Sequence, residues 1–139
     1  MGRIVLQKFK IMNFISELYK RNKLLANLGT LFLALALLLA VYALFNKVEV
    51  LGINSMIKPI KFALSIWIYA WSMAYLLFYV NDQEKVAKYT ILAIVTMVYE
   101  QAVITIQAFR GKISHFNQTE IVGGILYGLM GIMIVWLTP

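Results

Sequence analysis

The sequence contains no cysteine, a single histidine and only six acidic residues among its 139 residues. The absence of cysteine excludes disulfides, thiolate metal sites and cysteine nucleophiles. The lone histidine argues against most metal chemistry. No carboxylate pair with catalytic spacing, no Ser-His-Asp set and no glycine-rich phosphate loop can be assembled from the other residues. The sequence therefore predicts no cofactor, and it favours a protein that is not an enzyme.

Charged residues make up only 14% of the chain and hydrophobic residues 62%, which is more apolar surface than a globule of this length can hide in a core. This composition predicts an integral membrane protein of the all-α class. A net charge of +7 would suggest nucleic acid as the partner of a soluble domain, but six of the thirteen Lys and Arg residues precede the first apolar run. That bias indicates topology and a lipid surface, and no nucleic acid partner is predicted.

Four apolar stretches are long enough, or nearly so, to cross about 30 Å of hydrocarbon at about 1.5 Å per residue. They cover residues 24–45, 62–80, 89–109 and 121–137. Short connections make consecutive spans antiparallel neighbours. We therefore predict an up-and-down bundle of four transmembrane helices within residues 24–139.

Residues 1–23 form a separate basic segment before the first span. Its apolar residues share one helical arc, made of Ile4, Val5, Ile11, Met12, Ile15, Leu18 and Tyr19. This pattern predicts an amphipathic helix that lies on the membrane and contacts anionic headgroups, and a solvated basic tail is the alternative. With the N-terminus in the cytoplasm, the inner segments hold eight Lys and Arg residues and the outer loops hold five. This excess on the inner side favours a cytoplasmic N-terminus.

The third span carries a carboxylate, Glu100, within its apolar run. At 100° per residue one arc of this span comprises Tyr89, Ala93, Thr96, Glu100, Ile104 and Gln107. Tyr69 and Ser72 belong to a polar face of the second span, and we predict that the two polar stripes meet and that these hydroxyls donate to Glu100. A charged, unpaired carboxylate in the bilayer costs several kcal/mol, so Glu100 is either protonated or held in a polar pocket. The alternative is a neutral acid that only bridges two helices.

Cationic residues converge beside one end of both polar stripes, with Lys58 and Lys61 before the second span and Arg110, Lys112 and His115 after the third. Snorkelling to the interface and contact with headgroups is the ordinary role of such residues. The sharper interpretation is a cationic vestibule above the carboxylate, which would receive an anionic headgroup or a small acid. The candidate ligand-binding residues are Lys58, Lys61, Tyr69, Ser72, Glu100, Gln107, Arg110 and His115.

The fourth span carries Gly124 and Gly128 in Gly-x-x-x-Gly spacing. Glycines at this spacing let another backbone approach closely. They predict a packing face, either within the bundle or against a second copy in a homo-oligomer. Just before this span, Asn117-x-x-Glu120 is typical of a capping box that opens a helix.

The stretches "EVLGINSMIKPIKFALSIWIYAWSMAYLL" and "YEQAVITIQAFRGKISHFN" resemble a family of uncharacterised bacterial multi-span membrane proteins. That family carries a Lys-Pro-x-Lys-Phe element and an Arg-Gly-x-x-Ser-His-Phe-Asn element at this spacing. The resemblance covers residues 49 to about 135, and it implies a bacterial inner-membrane location but no known activity. The positions it carries over are Lys58, Pro59, Lys61, Phe62, Glu100, Gln107, Arg110, Gly111, Ser114, His115, Phe116 and Asn117. Family members are longer, so we expect this chain to be a fragment that lacks further helices.

The polar residues inside apolar spans predict a function in ligand binding. We predict a membrane protein with a polar site between its second and third spans, which binds a small or lipid ligand as a transporter-like module. Two alternatives stay open. One is an accessory or assembly protein without a ligand, whose polar stripes hold helices together. The other is an enzyme that acts on lipid headgroups, with Glu100 or His115 as the proton-transfer group.

Overall fold

A computed structural model of the chain describes residues 2–111 together with Ile125, Gly128 and Ile132, with side chains from Lys10 onward. Its elements are α1 (Gly2–Arg21), α2 (Lys23–Phe45), β1 (Glu49–Val50), β2 (Ile53–Asn54), α3 (Ile57–Leu76) and α4 (Gln83–Phe109), with a 3₁₀ turn at Leu77–Tyr79. Among the described residues, α2, α3 with its 3₁₀ turn, and α4 are long and apolar enough to cross a membrane. The all-α prediction is confirmed. The predicted fourth span falls outside the described residues apart from three isolated positions.

The helices α3 and α4 begin earlier than the predicted spans, at Ile57 and Gln83 instead of residues 62 and 89. The reason is that a helix begins at its cap and not where its apolar run begins. Asp82 caps α4, because its carboxylate accepts a hydrogen bond of 3.2 Å from the backbone N–H of Lys85. Asn22 caps α2 in the same way through the N–H of Leu25, at 3.1 Å.

The segment between α2 and α3 contains a small antiparallel hairpin, in which Glu49 pairs with Asn54 and Val50 with Ile53. Its two-residue turn, Leu51-Gly52, has positive φ at both residues, +54° and +77°. This is the backbone of a type I′ turn, whose twist matches that of the flanking strands. The predicted connection between the first two spans, residues 46–61, therefore contains an ordered strand pair, and its last five residues already belong to α3.

The α2–α3 interface is built on small residues. Ala26 on α2, and Ala70 and Ala74 on α3, are fully buried, as expected for alanines that allow helices to approach closely. The indole of Trp71 donates to the backbone oxygen of Ala26 at 3.3 Å. It also covers Gly29, where an added Cβ would lie 2.3 Å from Trp71 Cδ1. The close backbone approach found in the described residues thus depends on Gly29, which the sequence analysis did not single out.

The amphipathic helix α1 packs partly against the other helices. Leu18, which the sequence placed on the lipid-facing arc, is fully buried, and the Phe14 ring lies 6.1 Å from that of Tyr75 and 6.5 Å from that of Trp71. Ile11 and Met12 on the same arc are exposed. The C-terminal half of the predicted lipid-contacting arc therefore contacts protein.

The C-terminal end of α1 is attached to the end of α3 by an arginine. Arg21 Nη1 donates to the backbone oxygen of Tyr75 at 3.2 Å. The guanidinium carbon lies 4.1 Å from the centre of the Tyr75 ring and 4.6 Å from that of Phe78. The attraction between the guanidinium and these rings helps to hold α1 against the bundle.

Candidate functional site

The axial register between α3 and α4 is set by two side-chain contacts. The amide nitrogen of Gln101 donates to the backbone oxygen of Pro59 at 3.2 Å, and the Tyr69 and Tyr89 hydroxyls are hydrogen-bonded to each other. Since Gln101 lies at the level of the first turn of α3, its neighbour Glu100 does too. The carboxylate of Glu100 therefore lies at nearly the same depth along the bundle axis as the start of α3.

This register corrects the predicted partners of Glu100. Tyr69 pairs with Tyr89, which lies eleven residues before Glu100 on α4, or about 16 Å along the helix axis. Ser72 is exposed, and its hydroxyl donates to the Ile68 carbonyl of its own helix at 2.7 Å. The prediction that these two hydroxyls donate to Glu100 is therefore wrong. Periodicity placed the polar stripes on the helices but could not place them at the same depth.

Asparagines organise the connection between α2 and α3. Asn46 donates to Ser55 Oγ at 2.9 Å and to Asn54 Oδ1 at 3.2 Å. Asn54 donates to the backbone oxygens of Ala43 and Asn46, at 3.0 and 3.1 Å, and its own side-chain oxygen accepts from the N–H of Met56 at 3.0 Å. These bonds link the end of α2 to the start of α3 and fix the hairpin over that end of the bundle.

A pocket of about 440 Å³ lies beneath the hairpin. We call it the hairpin pocket. Its walls come from the hairpin, the first two turns of α3 and the last two turns of α4, and they are formed by Val50, Leu51, Ile53, Asn54, Ser55, Ile57, Lys58, Pro59, Lys61, Phe62, Ile104 and Ala108. Most of these side chains are apolar, while Lys58 and Lys61 supply positive charge. Two of the eight predicted site residues therefore meet in one cavity.

Polar side chains of α4 are buried beside this pocket. Glu100 is 7% exposed, and Thr96 and Gln107 are each 1% exposed. Helical geometry places these three residues within an arc of about 40°, which we call the α4 polar row. Among the described residues, no hydrogen-bond partner is found for Thr96 Oγ1, Glu100 Oε1 or Gln107 Oε1. The predicted arc is thus confirmed as a buried face, and it is an unusually polar one.

The remaining predicted site residues lie after α4. Arg110 is the exposed C-terminal cap of α4, and its backbone N–H donates to the Ile106 carbonyl at 3.1 Å. Gly111 follows with φ of +63°, and a Cβ there would lie 3.0 Å from Val48 Cγ1. This backbone conformation explains a glycine directly after Arg110. Lys112, His115, the capping box and Gly124 lie outside the described residues.

A second cavity of about 400 Å³ lies at the opposite end of α3, where α1 packs against it. It is lined by Phe14, Trp67, Ile68, Trp71, Ser72, Tyr75 and Leu76. Its lining has no charged side chain, so it offers no counter-charge to an anionic ligand. Within residues 10–111, no cluster of three His, Asp or Glu side chains could hold a metal ion.

Sequence reasoning missed Gln101 as the residue that fixes the depth of α4. A glutamine next to a glutamate inside an apolar run was visible, but Gln101 lies about 100° from Glu100 around the helix and so fell outside the arc that was followed. It also missed the hairpin residues that wall the pocket. The sequence feature that indicates this hairpin is Leu51-Gly52 between two short apolar stretches, because a glycine at such a position favours a tight turn.

Comparison with protein-family models, with curated proteins and with solved structures finds no match for this chain.

Proposed function

We propose that this protein binds an anionic amphiphile, a molecule with an acyl chain and a negatively charged headgroup, in the hairpin pocket. The observation that carries the proposal is the composition of that pocket, in which apolar walls and two lysines enclose about 440 Å³. Cavities of about 300–1,000 Å³ with apolar walls and a few polar groups are typical of small-molecule sites.

The two parts of such a ligand would have distinct partners. Ile53, Phe62 and Ile104 offer apolar contact to an acyl chain, where each buried methylene contributes about 0.8 kcal/mol. Lys58 and Lys61 offer positive charge to the headgroup, and a basic residue near an anionic lipid surface is worth about 1 kcal/mol. Apolar contact supplies most of the affinity, and charge selects the headgroup.

The proposal includes the orientation and location that the sequence favours. With the N-terminus in the cytoplasm of a bacterium, the hairpin pocket opens on the outer side of the inner membrane. A reporter fused after Lys23 should then behave as cytoplasmic, and one inserted in the Leu51-Gly52 turn as external. The reverse pattern would contradict the proposed orientation but not ligand binding in the pocket.

Transporter-like movement of the ligand is a further part of the proposal. A flux assay on the pocket variants Lys61→Met and Ile53→Trp, introduced below, tests it.

Ligand binding can be tested with the full chain in nanodiscs and a long-chain alkyl sulfonate as the probe, because a sulfonate stays anionic at every accessible pH. Lys61→Met should weaken binding about fivefold, which corresponds to the loss of about 1 kcal/mol. Ile53→Trp should weaken it further, because Ile53 is more than half exposed and lines the pocket, so a larger side chain would fill the cavity without entering the core.

The matched control is Lys47→Met, which removes an exposed lysine from the same connection but not from the pocket wall. Its binding should equal that of the parent. An alkyl alcohol of the same chain length gains nothing from either lysine, so it should bind the parent more weakly than the sulfonate binds Lys61→Met. Equal sulfonate affinity in the parent, Lys61→Met and Ile53→Trp would overturn the proposal.

A further inference from the structure

The α4 polar row is poorly explained as a structural element of the fold. Thr96, Glu100 and Gln107 are more than nine-tenths buried, yet Thr96 Oγ1, Glu100 Oε1 and Gln107 Oε1 have no hydrogen-bond partner among the described residues. An acid whose role was to bridge helices would be expected to use its hydrogen-bonding capacity on a neighbouring helix. On α4 that bridging role belongs to Gln101, which donates to Pro59.

Glu100 lies next to the hairpin pocket. Ile104, one helical turn further along α4, forms part of the pocket wall, and so does Pro59, which Gln101 contacts. A ligand whose acyl chain is seated against these two residues would therefore exclude water from the region of the bundle that holds the carboxyl group of Glu100.

Among the described residues, few titratable groups belong to the elements that surround Glu100. The elements packed against α4 present Lys58 and Lys61 at the start of α3, Tyr69 and Tyr75 further along α3, and Lys23 and Tyr42 near the two ends of α2. On α4 itself the nearest are Tyr99, Tyr89 and Arg110. Tyr69 and Tyr89 are hydrogen-bonded to each other. The two pocket lysines are thus the charged groups of α3 closest in register to Glu100.

We propose that Glu100 binds a proton and that this proton is linked to the ligand in the hairpin pocket, an inference that builds on the proposed function. An acyl chain that excludes water from the Glu100 carboxylate disfavours its charged form, and an anionic headgroup held by the pocket lysines repels that carboxylate as well. Binding of the anion therefore favours the neutral acid. In the balanced step, one proton from solution and one ligand anion bind to the protein in which Glu100 is ionised. The product is the protein with Glu100 as a neutral carboxylic acid and the anion bound.

Thr96 and Gln107 are positioned to serve this exchange. They lie on the same arc as Glu100, one turn towards the start of α4 and two turns towards its end. Their hydroxyl and amide groups can hydrogen-bond to a water molecule or to either protonation state of the acid.

The first measurement needs no ligand. Infrared difference spectra of the full chain in nanodiscs should show a protonated carboxylic acid band that titrates with pH and that Glu100→Gln removes. Glu84→Gln is the control, because Glu84 is exposed and pairs with Lys88 at the surface, and this variant should keep the band. A band that persists unchanged across the whole pH range would mean that Glu100 never releases its proton, and that would overturn the inference.

The second measurement is the affinity for the alkyl sulfonate as a function of pH. Because one proton accompanies the ligand, affinity in the parent should rise as pH falls, approaching tenfold per pH unit where Glu100 is ionised in the free protein. Glu100→Gln should bind with little pH dependence and keep its fold. A pH-independent affinity in the parent, or the same pH dependence in Glu100→Gln, would refute the linkage.

The two proposals fail in different ways. If the parent does not bind the sulfonate at any pH, both the proposed function and the proton linkage are wrong. If the sulfonate binds, responds to Lys61→Met and Ile53→Trp, but shows no dependence on Glu100, the proposed function stands and only the proton linkage is wrong.

Discussion

The buried face shared by α2 and α3 and the buried face of α4 follow different rules. Between α2 and α3, small residues bring the backbones together, and Trp71 fills the space above Gly29 while donating to Ala26. On α4 the buried residues include Thr90, Thr96, Glu100, Gln101 and Gln107. Of the six buried side-chain atoms without a hydrogen-bond partner in the described part of the chain, five are on α4 and one, Trp67 Nε1, is on α3.

This difference separates two roles. Dense contact of small apolar residues adds van der Waals stabilisation, which is the main source of helix association where solvent is itself apolar. A face with unsatisfied oxygens costs stability instead and is retained where it serves a site. The α2–α3 pair is accordingly the stable scaffold, and α4 carries the proposed proton-binding residue.

The largest effect is expected at the scaffold. Gly29→Ala places a Cβ 2.3 Å from Trp71 Cδ1 and 3.3 Å from the Trp67 carbonyl oxygen, so the helices must separate or the indole must leave its position. Overpacking of this kind costs about 1–3 kcal/mol, and Gly29→Leu should cost more. The measurement is thermal unfolding in a mild detergent. A melting temperature unaffected by Gly29→Leu would contradict the close contact of α2 and α3.

Gly128→Ala is the control for that substitution, because a Cβ there meets no atom of the described residues within 4 Å. It should leave the melting temperature of the monomer unchanged. Gly128→Leu tests the predicted homo-oligomer separately, because a loss of self-association without a change in monomer stability would assign the glycine pattern to contact between copies.

A smaller effect distinguishes two glutamines of α4. Gln101→Leu removes the donor to Pro59 and should lower the free energy of unfolding by about 1 kcal/mol. Gln107→Leu removes a buried amide whose oxygen has no partner among the described residues, so it should be neutral or stabilising. Unfolding of both variants in the same detergent checks the contrast. Equal destabilisation would mean that Gln107 is as much a structural residue as Gln101.

The smallest effect is expected at the N-terminal cap of α4. Hydrogen bonds from the backbone N–H and the ammonium group of Lys85 lower the pKa of Asp82 below its ordinary value. The stabilisation is therefore complete above the ordinary aspartate range, near pH 4, and is lost as pH falls through the lowered value. Melting temperatures of the parent and Asp82→Asn between neutral and acid pH should converge in acid. Asp82→Asn keeps the side-chain acceptor, so a constant difference at all pH values would show that ionisation is not involved.

Much of the fold was accessible from the sequence. Long apolar runs predicted three helices that the structure contains, and the arc through Thr96, Glu100 and Gln107 proved to be a buried face. The pairing of that arc with Tyr69 and Ser72 was wrong. Helical periodicity gives the direction of a side chain around its helix, but the depth of one helix relative to another depends on where each helix begins and on the chain between them.

The amino-acid sequence by itself determined the class of this protein, because the number and length of its apolar runs exceed what a water-soluble core can hold. It also determined which residues of α4 share a face, since the 100° step per residue is a local property of the backbone. Only the tertiary structure decided that Lys58 and Lys61 share a pocket with Ile104 and that Glu100 lies beside it. Those neighbours are set by the early start of α3, the hairpin that precedes it and the bond between Gln101 and Pro59. The bond between Gln101 and Pro59 joins residues 42 positions apart, and no local pattern encodes it.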